Sequence, residues 1–280
     1  MQINAYHAQE ILRNAGIRPS KRRGQHFIVD ANIAEREVDH AGLRPEDLVL
    51  EIGSGLGALT ETIARRGSRV VSIEVDGRFL GILKPKLTGI CNVALVKADA
   101  LQFNIEKVNK IISNIPYNIS SQITFKILEV EFETAILTYQ ADFAKRMVAQ
   151  PGSKDYGRLS VSVYYRAKAE VLEKVPRDVF YPVPSVDSAM VKLTRRPAPF
   201  QVSNESLFFK VLRELFPYRN QRLRKVLKRF IELNQLGGLD AAKIMEDSNV
   251  PGDERIRDLT AQSFAKLSDS IHAQMTFRPS

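Results

Sequence analysis

The sequence predicts an α/β fold: a mostly parallel sheet with an antiparallel pair of strands at its edge, plus a small all-α C-terminal domain. Three observations predict it. Between Leu48 and Thr138, short apolar runs of strand length alternate with stretches of helical period. Two further strand-like runs, 169–175 and 188–194, flank a proline-rich loop. Beyond Arg195-Arg196-Pro197-Ala198-Pro199 the pattern is helical throughout. Short apolar strands alternating with helices form parallel sheets covered on both faces.

Taken in order, an amphipathic pattern over 6–15, closed by Gly16 and followed by Pro19, predicts the first helix. A basic stretch follows, Lys21-Arg22-Arg23-Gly24-Gln25-His26-Phe27, and Asp30 suits the N-cap of a helix reaching Ala41. Strands are predicted at 48–52, 70–74, 93–96, 110–113 and 134–138, with helices at 56–66, from Arg78, and over 141–149. The 169–175 and 188–194 runs supply the antiparallel edge pair. Helices are then predicted at 206–215, 221–233, 241–246 and 260–270. The Arg195–Pro199 stretch divides a domain of residues 1–195 from one of 196–280.

Composition narrows the function classes. With 44% hydrophobic and 26% charged residues in 280, the chain can bury a core and is not disordered as a whole. Its net charge of +9 attracts polyanions, nucleic acid or an anionic membrane surface, although a basic-surfaced enzyme has the same balance. A single cysteine, Cys91, excludes an intrachain disulfide and any cysteine metal cluster; no metal is expected. Cys91 is expected to act as a small hydrophobe at the start of a buried strand. No apolar run approaches the roughly 20 residues of a membrane span, and the N-terminus lacks the pattern of a secretion signal. A cytoplasmic monomer without a membrane partner is expected.

A cofactor site is expected where Glu51-Ile52-Gly53-Ser54-Gly55-Leu56-Gly57 joins a strand to a helix. Glycines such as Gly53 and Gly55 allow a tight turn and close backbone approach. Glu74, ending the next strand, is spaced to accept hydrogen bonds from two ribose hydroxyls, and Asp99, after the third, from an adenine amino group. Alone, each has an ordinary reading, a surface carboxylate and a helix cap. NAD and S-adenosylmethionine both satisfy the spacing. Glu51 opening the loop disfavours a pyrophosphate and welcomes a sulfonium and an amino group.

The chemistry is expected at Asn114-Ile115-Pro116-Tyr117, which ends the fourth strand. An adenine amino nitrogen has its lone pair delocalised into the ring. Two acceptors, the Asn114 amide oxygen and the Pro116 carbonyl, would bind its N–H groups and favour a tetrahedral nitrogen aimed at a methyl donor. Tyr117 offers a stacking face or a core residue. Phe180, opening Phe180-Tyr181-Pro182-Val183-Pro184-Ser185-Val186-Asp187-Ser188, either closes the other face of an extruded base or packs in the core.

Gly24-Gln25-His26-Phe27, Glu51-Ile52-Gly53-Ser54-Gly55, Asn114-Ile115-Pro116-Tyr117 and the Phe180–Ser188 stretch, as an ordered set, resemble the KsgA family of rRNA adenine dimethyltransferases, its archaeal members most. The resemblance runs from about Lys21 to the C-terminal helices. It implies a class I methyltransferase (Rossmann-like) fold, S-adenosylmethionine, and two adjacent adenosines near the 3′ end of small-subunit rRNA, with a role in ribosome biogenesis. It implies cofactor contacts at Gln25, His26, Ile28, Gly53, Glu74, Asp99 and Asn114, and target-base contacts at Asn114, Tyr117 and Phe180. Two positions depart from it: members commonly carry asparagine at His26 and leucine at Ile28. A main-chain contact tolerates both.

Arg219, Arg222, Arg224, Lys225, Lys228 and Arg229 crowd one predicted helix with no acidic residue between Arg219 and Arg229. Arg222, Lys225 and Arg229 share a face, while Leu223, Val226, Leu227 and Phe230 can face inward. This pattern suits a phosphate backbone, with a solvated charged face as the ordinary alternative. Lys21, Arg22 and Arg23 are expected to extend the basic field. The expected partner is small-subunit rRNA within a pre-ribosomal particle. Competing readings are a large-subunit rRNA adenine methyltransferase, a DNA adenine methyltransferase, for which about 85 helical residues leave little room for target recognition, and a mainly non-catalytic ribosome-assembly factor.

Overall fold

The computed structural model describes residues 4–276, without the Lys21 side chain. In the first part of the chain α1 (Ala5–Asn14) precedes β1 (Phe27–Ile28), α2 (Ala31–Ala41), β2 (Leu48–Ile52), α3 (Ala58–Arg65), β3 (Arg69–Glu74), α4 (Gly77–Lys86) and β4 (Val93–Lys97). Asp30 caps α2 as expected, its side chain accepting from the Asn32 N–H, and Gly42 in the left-handed region ends it. There follow β5 (Lys110–Asn114), α5 (Ser120–Glu129), β6 (Thr134–Gln140), α6 (Ala141–Met147), α7 (Arg158–Arg166), β7 (Ala167–Val175), β8 (Phe180–Tyr181) and β9 (Ser188–Arg195).

Seven strands form one sheet in the order β4-β3-β2-β5-β6-β9-β7. Strands β4 to β6 are parallel neighbours, and β9 joins β6 antiparallel, with Asn114 opposite Thr138 and Thr138 opposite Met190. The chain winds outward from β2 to β4, then restarts at β5 on the other side of β2. Between β2 and β5 lies the switch point, where such sheets leave a crevice at the strands' C-terminal ends. Val49, Val70, Ile112 and Ile136 pack with Ile33, Val38, Leu59 and Ile63 of α2 and α3. Their neighbours Leu50, Ile111, Ala135 and Leu137 are buried too, so the central strands are covered on both faces.

The remaining helices are α8 (Glu205–Leu215), α9 (Leu223–Leu233), α10 (Ala241–Ser248) and α11 (Ala261–Thr276). They share a core with α7, in which Tyr165, Phe208, Leu212, Leu227, Phe230 and Phe264 are buried. The chain therefore divides into two compact units. One holds the residues up to Lys145 with Lys168–Arg195, the other Arg146–Ala167 with the residues from Arg196 on. A single cut after residue 195 misses the return of 146–167 to the second unit, where Tyr156 and Tyr165 join the helical core. Cys91 is also corrected: it is exposed in the turn before β4, not a buried strand residue. No described helix is long and apolar enough to cross a membrane.

Candidate active site

The fold brings the first three sequence motifs together at the crevice. The turn after β2 is held by the Gly53 N–H, which donates to the Ile73 carbonyl at 2.7 Å. Gly55 has φ +50°, and a Cβ there would stand 2.8 Å from the Phe27 ring, so only glycine lets 27–28 lie against this turn. Gly24 meets the opposite wall just as closely: a Cβ would sit 2.8 Å from the Tyr117 nitrogen. The resulting cleft is lined by residues 23–28, 51–56, 73–75, 98–100 and 114–117, all four later groups lying at C-terminal ends of parallel strands.

At β3 the buried Glu74 carboxylate accepts from the Gly55 N–H at 3.1 Å and the Asp76 N–H at 2.9 Å. Two main-chain donors thus fix its plane, and each oxygen keeps a lone pair for a further donor; burial raises its pKa. Asp99 lies exposed in the cleft wall, one oxygen accepting from the Leu101 N–H at 2.9 Å. Gln25 lines the cleft while its side chain takes the Ser20 N–H at 2.8 Å, and Ile28 is a buried wall residue. Glu51 differs from a charge simply facing a cofactor. It is buried, one oxygen takes hydrogen bonds from Thr60 (2.5 Å) and Ser72 (2.6 Å), and burial pushes its pKa up to about 7.

Asn114 ends β5. Its amide nitrogen donates to the His26 carbonyl at 3.0 Å, which fixes the sense of the amide. Its oxygen is buried and meets no hydrogen-bond donor among the described residues. Tyr117 is part-buried, its hydroxyl 2.6 Å from the Ser188 hydroxyl and its ring stacked on that of His26. Burial raises its pKa.

Three expected roles do not survive the geometry. The Pro116 carbonyl already accepts twice, from the Ile119 N–H at 3.1 Å and the Ser120 hydroxyl at 3.5 Å, closing the turn that follows. The neighbouring Ile115 also lines the cleft, and no hydrogen bond reaches its carbonyl among the described residues. Phe180 is 1% exposed, paired with Ile28 and packed with Ile33, Ile112 and Met190; it is core and not a wall of the cleft. Arg23 is not a free cation: its guanidinium lies 2.7 Å from Asp76, whose carboxyl Arg78 and Arg23 together hold down at about 2. Arg22 is exposed, and the Lys21 side chain lies outside the described residues. Sequence reasoning overlooked Ser188, Ile115 and Asp76. Ser188 lies within the quoted motif, and Asp76 two residues beyond Glu74.

In the helical unit, α9 buries Leu223, Val226, Leu227 and Phe230 and exposes Lys225, Lys228 and Arg229. Arg222 and Arg224 are both paired with Asp253, brought in from the loop after α10, and Arg219 donates to the Ser153 and Lys154 carbonyls. Arg229 lies over the Tyr218 ring, 4.6 Å from its centroid. The expected basic face is present, but among the described residues Lys225 and Lys228 make up its unpaired part. Among the described residues no group of three histidine, cysteine or acidic side chains is placed to hold a metal ion.

The model of the family described as ribosomal RNA adenine dimethylase matches residues 17–272. A probable ribosomal RNA small subunit methyltransferase A of Methanosarcina acetivorans is 41% identical, covering 88% of this chain and 91% of that one. One of the same name from Methanopyrus kandleri is 48% identical over 76% and 77%. The crystal structure of a dimethyladenosine transferase from Plasmodium falciparum superposes with a TM-score of 0.75 at 27% identity, over 88% and 97% of the two chains. That of the 23S rRNA methyltransferase ErmE superposes with 0.65 at 29%, over 88% and 99%. The chain belongs to the ribosomal RNA adenine dimethylase family, methyltransferases that use a donor of the S-adenosylmethionine type.

Proposed function

We propose that this protein dimethylates N6 of two adjacent adenosines near the 3′ end of small-subunit rRNA, using S-adenosylmethionine, as a cytoplasmic monomer acting on a pre-ribosomal particle. The cleft's chemistry suits that cofactor. Carboxylate acceptors at Glu74 and Asp99 match hydroxyls and an amine, while Ile28, Ile52, Ile73 and the exposed Val75 give an apolar wall for a purine. An acidic lining also suits a cation better than a pyrophosphate. Bound there, S-adenosylmethionine supplies an electrophilic methyl group.

One observation carries the reading: the buried Asn114 oxygen without a donor, at the end of β5 in the cleft wall. A buried acceptor left open costs about 1–3 kcal/mol, so such an atom points to a donor that arrives with the substrate. An exocyclic amino group brings two N–H donors. Asn114 takes one and the Ile115 carbonyl the other, which holds the nitrogen in tetrahedral form with its lone pair free for attack. No strong base is needed: each N–C bond forms as the donor's C–S bond breaks, and the cationic methylated nitrogen then loses its proton to water. The second transfer starts from the one remaining N–H, held by one of the two acceptors. Tyr117 stacks on the flipped base, worth about 1–3 kcal/mol against the cost of unstacking. Lys225 and Lys228 hold the phosphate backbone without reading sequence.

The choice of small-subunit RNA is supported by the relatives named for it, at 41–48% identity, against 29% for the 23S enzyme. The test is Asn114→Ala, assayed by mass mapping of methylated adenines on small-subunit particles and on large-subunit RNA from cells lacking the protein. Wild-type enzyme is expected to dimethylate the small-subunit site alone. The variant should lose at least about a hundredfold in rate, the scale of removing a positioned acceptor, and still bind RNA. A normal rate in the variant overturns the mechanism; methylation of large-subunit RNA overturns the substrate.

A further inference from the structure

Resting on the reading of this cleft as the site of adenine methylation, we propose that the His26 imidazole is a positioning residue, a latch that sets the reaction corner for transfer. Three segments far apart in sequence meet at this one residue. Its main-chain carbonyl takes the Asn114 amide N–H at 3.0 Å. Its ring lies against Tyr117 with centroids 5.2 Å apart and planes inclined by 29°. Its Nδ1 lies 2.6 Å from the Pro182 carbonyl, so Nδ1 carries the proton and donates it.

Each contact removes one freedom that transfer requires to be fixed. The Asn114 bond aims the open amide oxygen. The ring covers one face of Tyr117 while Ser188 holds its hydroxyl at 2.6 Å, so Tyr117 presents its remaining surface in one orientation. The Pro182 bond ties the 180–188 stretch to the same point. Since Phe180 is spent in the core, this tether and Ser188 are how that stretch acts on the corner. An asparagine in this place could donate to Pro182 but could not stack, so the ring supplies the second contact.

A latch of this kind governs orientation and leaves the cofactor's main-chain contacts intact. His26→Ala, His26→Asn and His26→Phe are to be made in the full chain. Single-turnover methyl transfer to small-subunit particles is measured beside cofactor affinity by calorimetry. His26→Ala should slow transfer by about 10- to 100-fold, the effect of a displacement on the order of 1 Å, with cofactor Kd within about threefold of wild type. His26→Asn, which keeps a donor, and His26→Phe, which keeps a stacking ring, should each recover part of the loss. Transfer within about twofold of wild type in His26→Ala overturns the proposal. So does a loss of cofactor affinity as large as the loss of rate, and so does failure of both conservative variants to exceed His26→Ala. Should His26→Ala not fold, the conservative pair decides: intermediate rates support the latch and wild-type rates in both overturn it. Asn114→Ala, run alongside, separates the levels, because a normal rate there overturns the reading beneath the latch and not the latch alone.

Discussion

Glu37 makes the sharpest prediction about stability. It lies on α2 with no exposure, one oxygen hydrogen-bonded by the Thr138 hydroxyl and the other buried without a partner. Burial pushes its carboxyl from 4.5 up to about 8, against the Thr138 bond, which lowers it, while Glu51 and Glu173 add repulsion. Its folded pKa exceeds its unfolded one, so the folded state holds a proton that the unfolded state sheds. The stabilising contribution is complete below about 4.5 and is lost as pH rises through about 8. At about 1.4 kcal/mol per pH unit, the cost is about 2 kcal/mol at pH 6, about 3 at pH 7, and approaches about 5 above pH 8. Glu37→Gln keeps an acceptor for Thr138 and cannot titrate. Any packing or hydrogen-bond penalty of the amide does not change with pH, so the slope isolates the carboxyl. Urea unfolding of both proteins from about pH 6 to 8.5 should show their stability gap moving by about 2–3 kcal/mol in favour of the glutamine. Parallel curves would refute the reasoning. Function is exposed to the same proton, because Thr138 stands opposite Asn114 and its carbonyl takes the Ile115 N–H.

Two further predictions concern ligands. Glu51, pushed up to about 7 by burial against the Ser72 and Thr60 hydrogen bonds, lines the cleft. A cationic cofactor favours its ionised form, so affinity should weaken severalfold as pH falls from about 8 to 6, and Glu51→Gln should flatten the dependence; a level calorimetric profile in wild type would count against it. Lys225 is exposed and unpaired whereas Arg222 is already paired with Asp253. Lys225→Gln should therefore reduce the slope of log K against log salt for RNA binding by about 0.7–0.9, and Arg222→Gln by much less; equal reductions in a filter-binding titration would sink that distinction.

The fold was legible wherever pattern and burial coincide. Central strands buried on both faces read as apolar runs, and Asp30 and Gly42 punctuate α2 as their side-chain and backbone chemistry requires. Helix α7 escaped because Leu159-Ser160-Val161-Ser162-Val163 has the alternation of a strand. It is helical since both rows are buried, Ser160 and Ser162 among them, and since the Ser160 hydroxyl takes the Gly157 N–H to close the first turn. Tertiary packing outweighs propensity there. Strands β1 and β8 have two residues each, too few for any periodicity, and exist only because the folded chain pairs Phe27 with Tyr181.

At the site, the sequence revealed which residue types would arrive and not which hydrogen bonds they had already spent. Phe180, the Pro116 carbonyl and Arg23 each have the right chemistry at the right spacing, and each is committed elsewhere: to the core, to a turn, to an aspartate 53 residues away. Spacing cannot register the commitments of Phe180 and Arg23, whose partners are distant in the chain, and the local turn that takes the Pro116 carbonyl has no side-chain signature. Hydrogen-bond accounting inverts the problem. In a core where Glu74 and Thr124 find partners, the open oxygen of Asn114 costs stability with no local return. Rotating the amide would set its oxygen against the His26 carbonyl, so the fold keeps the acceptor unmet at that cost. An amide whose neighbours fix its sense and leave its buried acceptor unmet is set for a donor that arrives with the substrate.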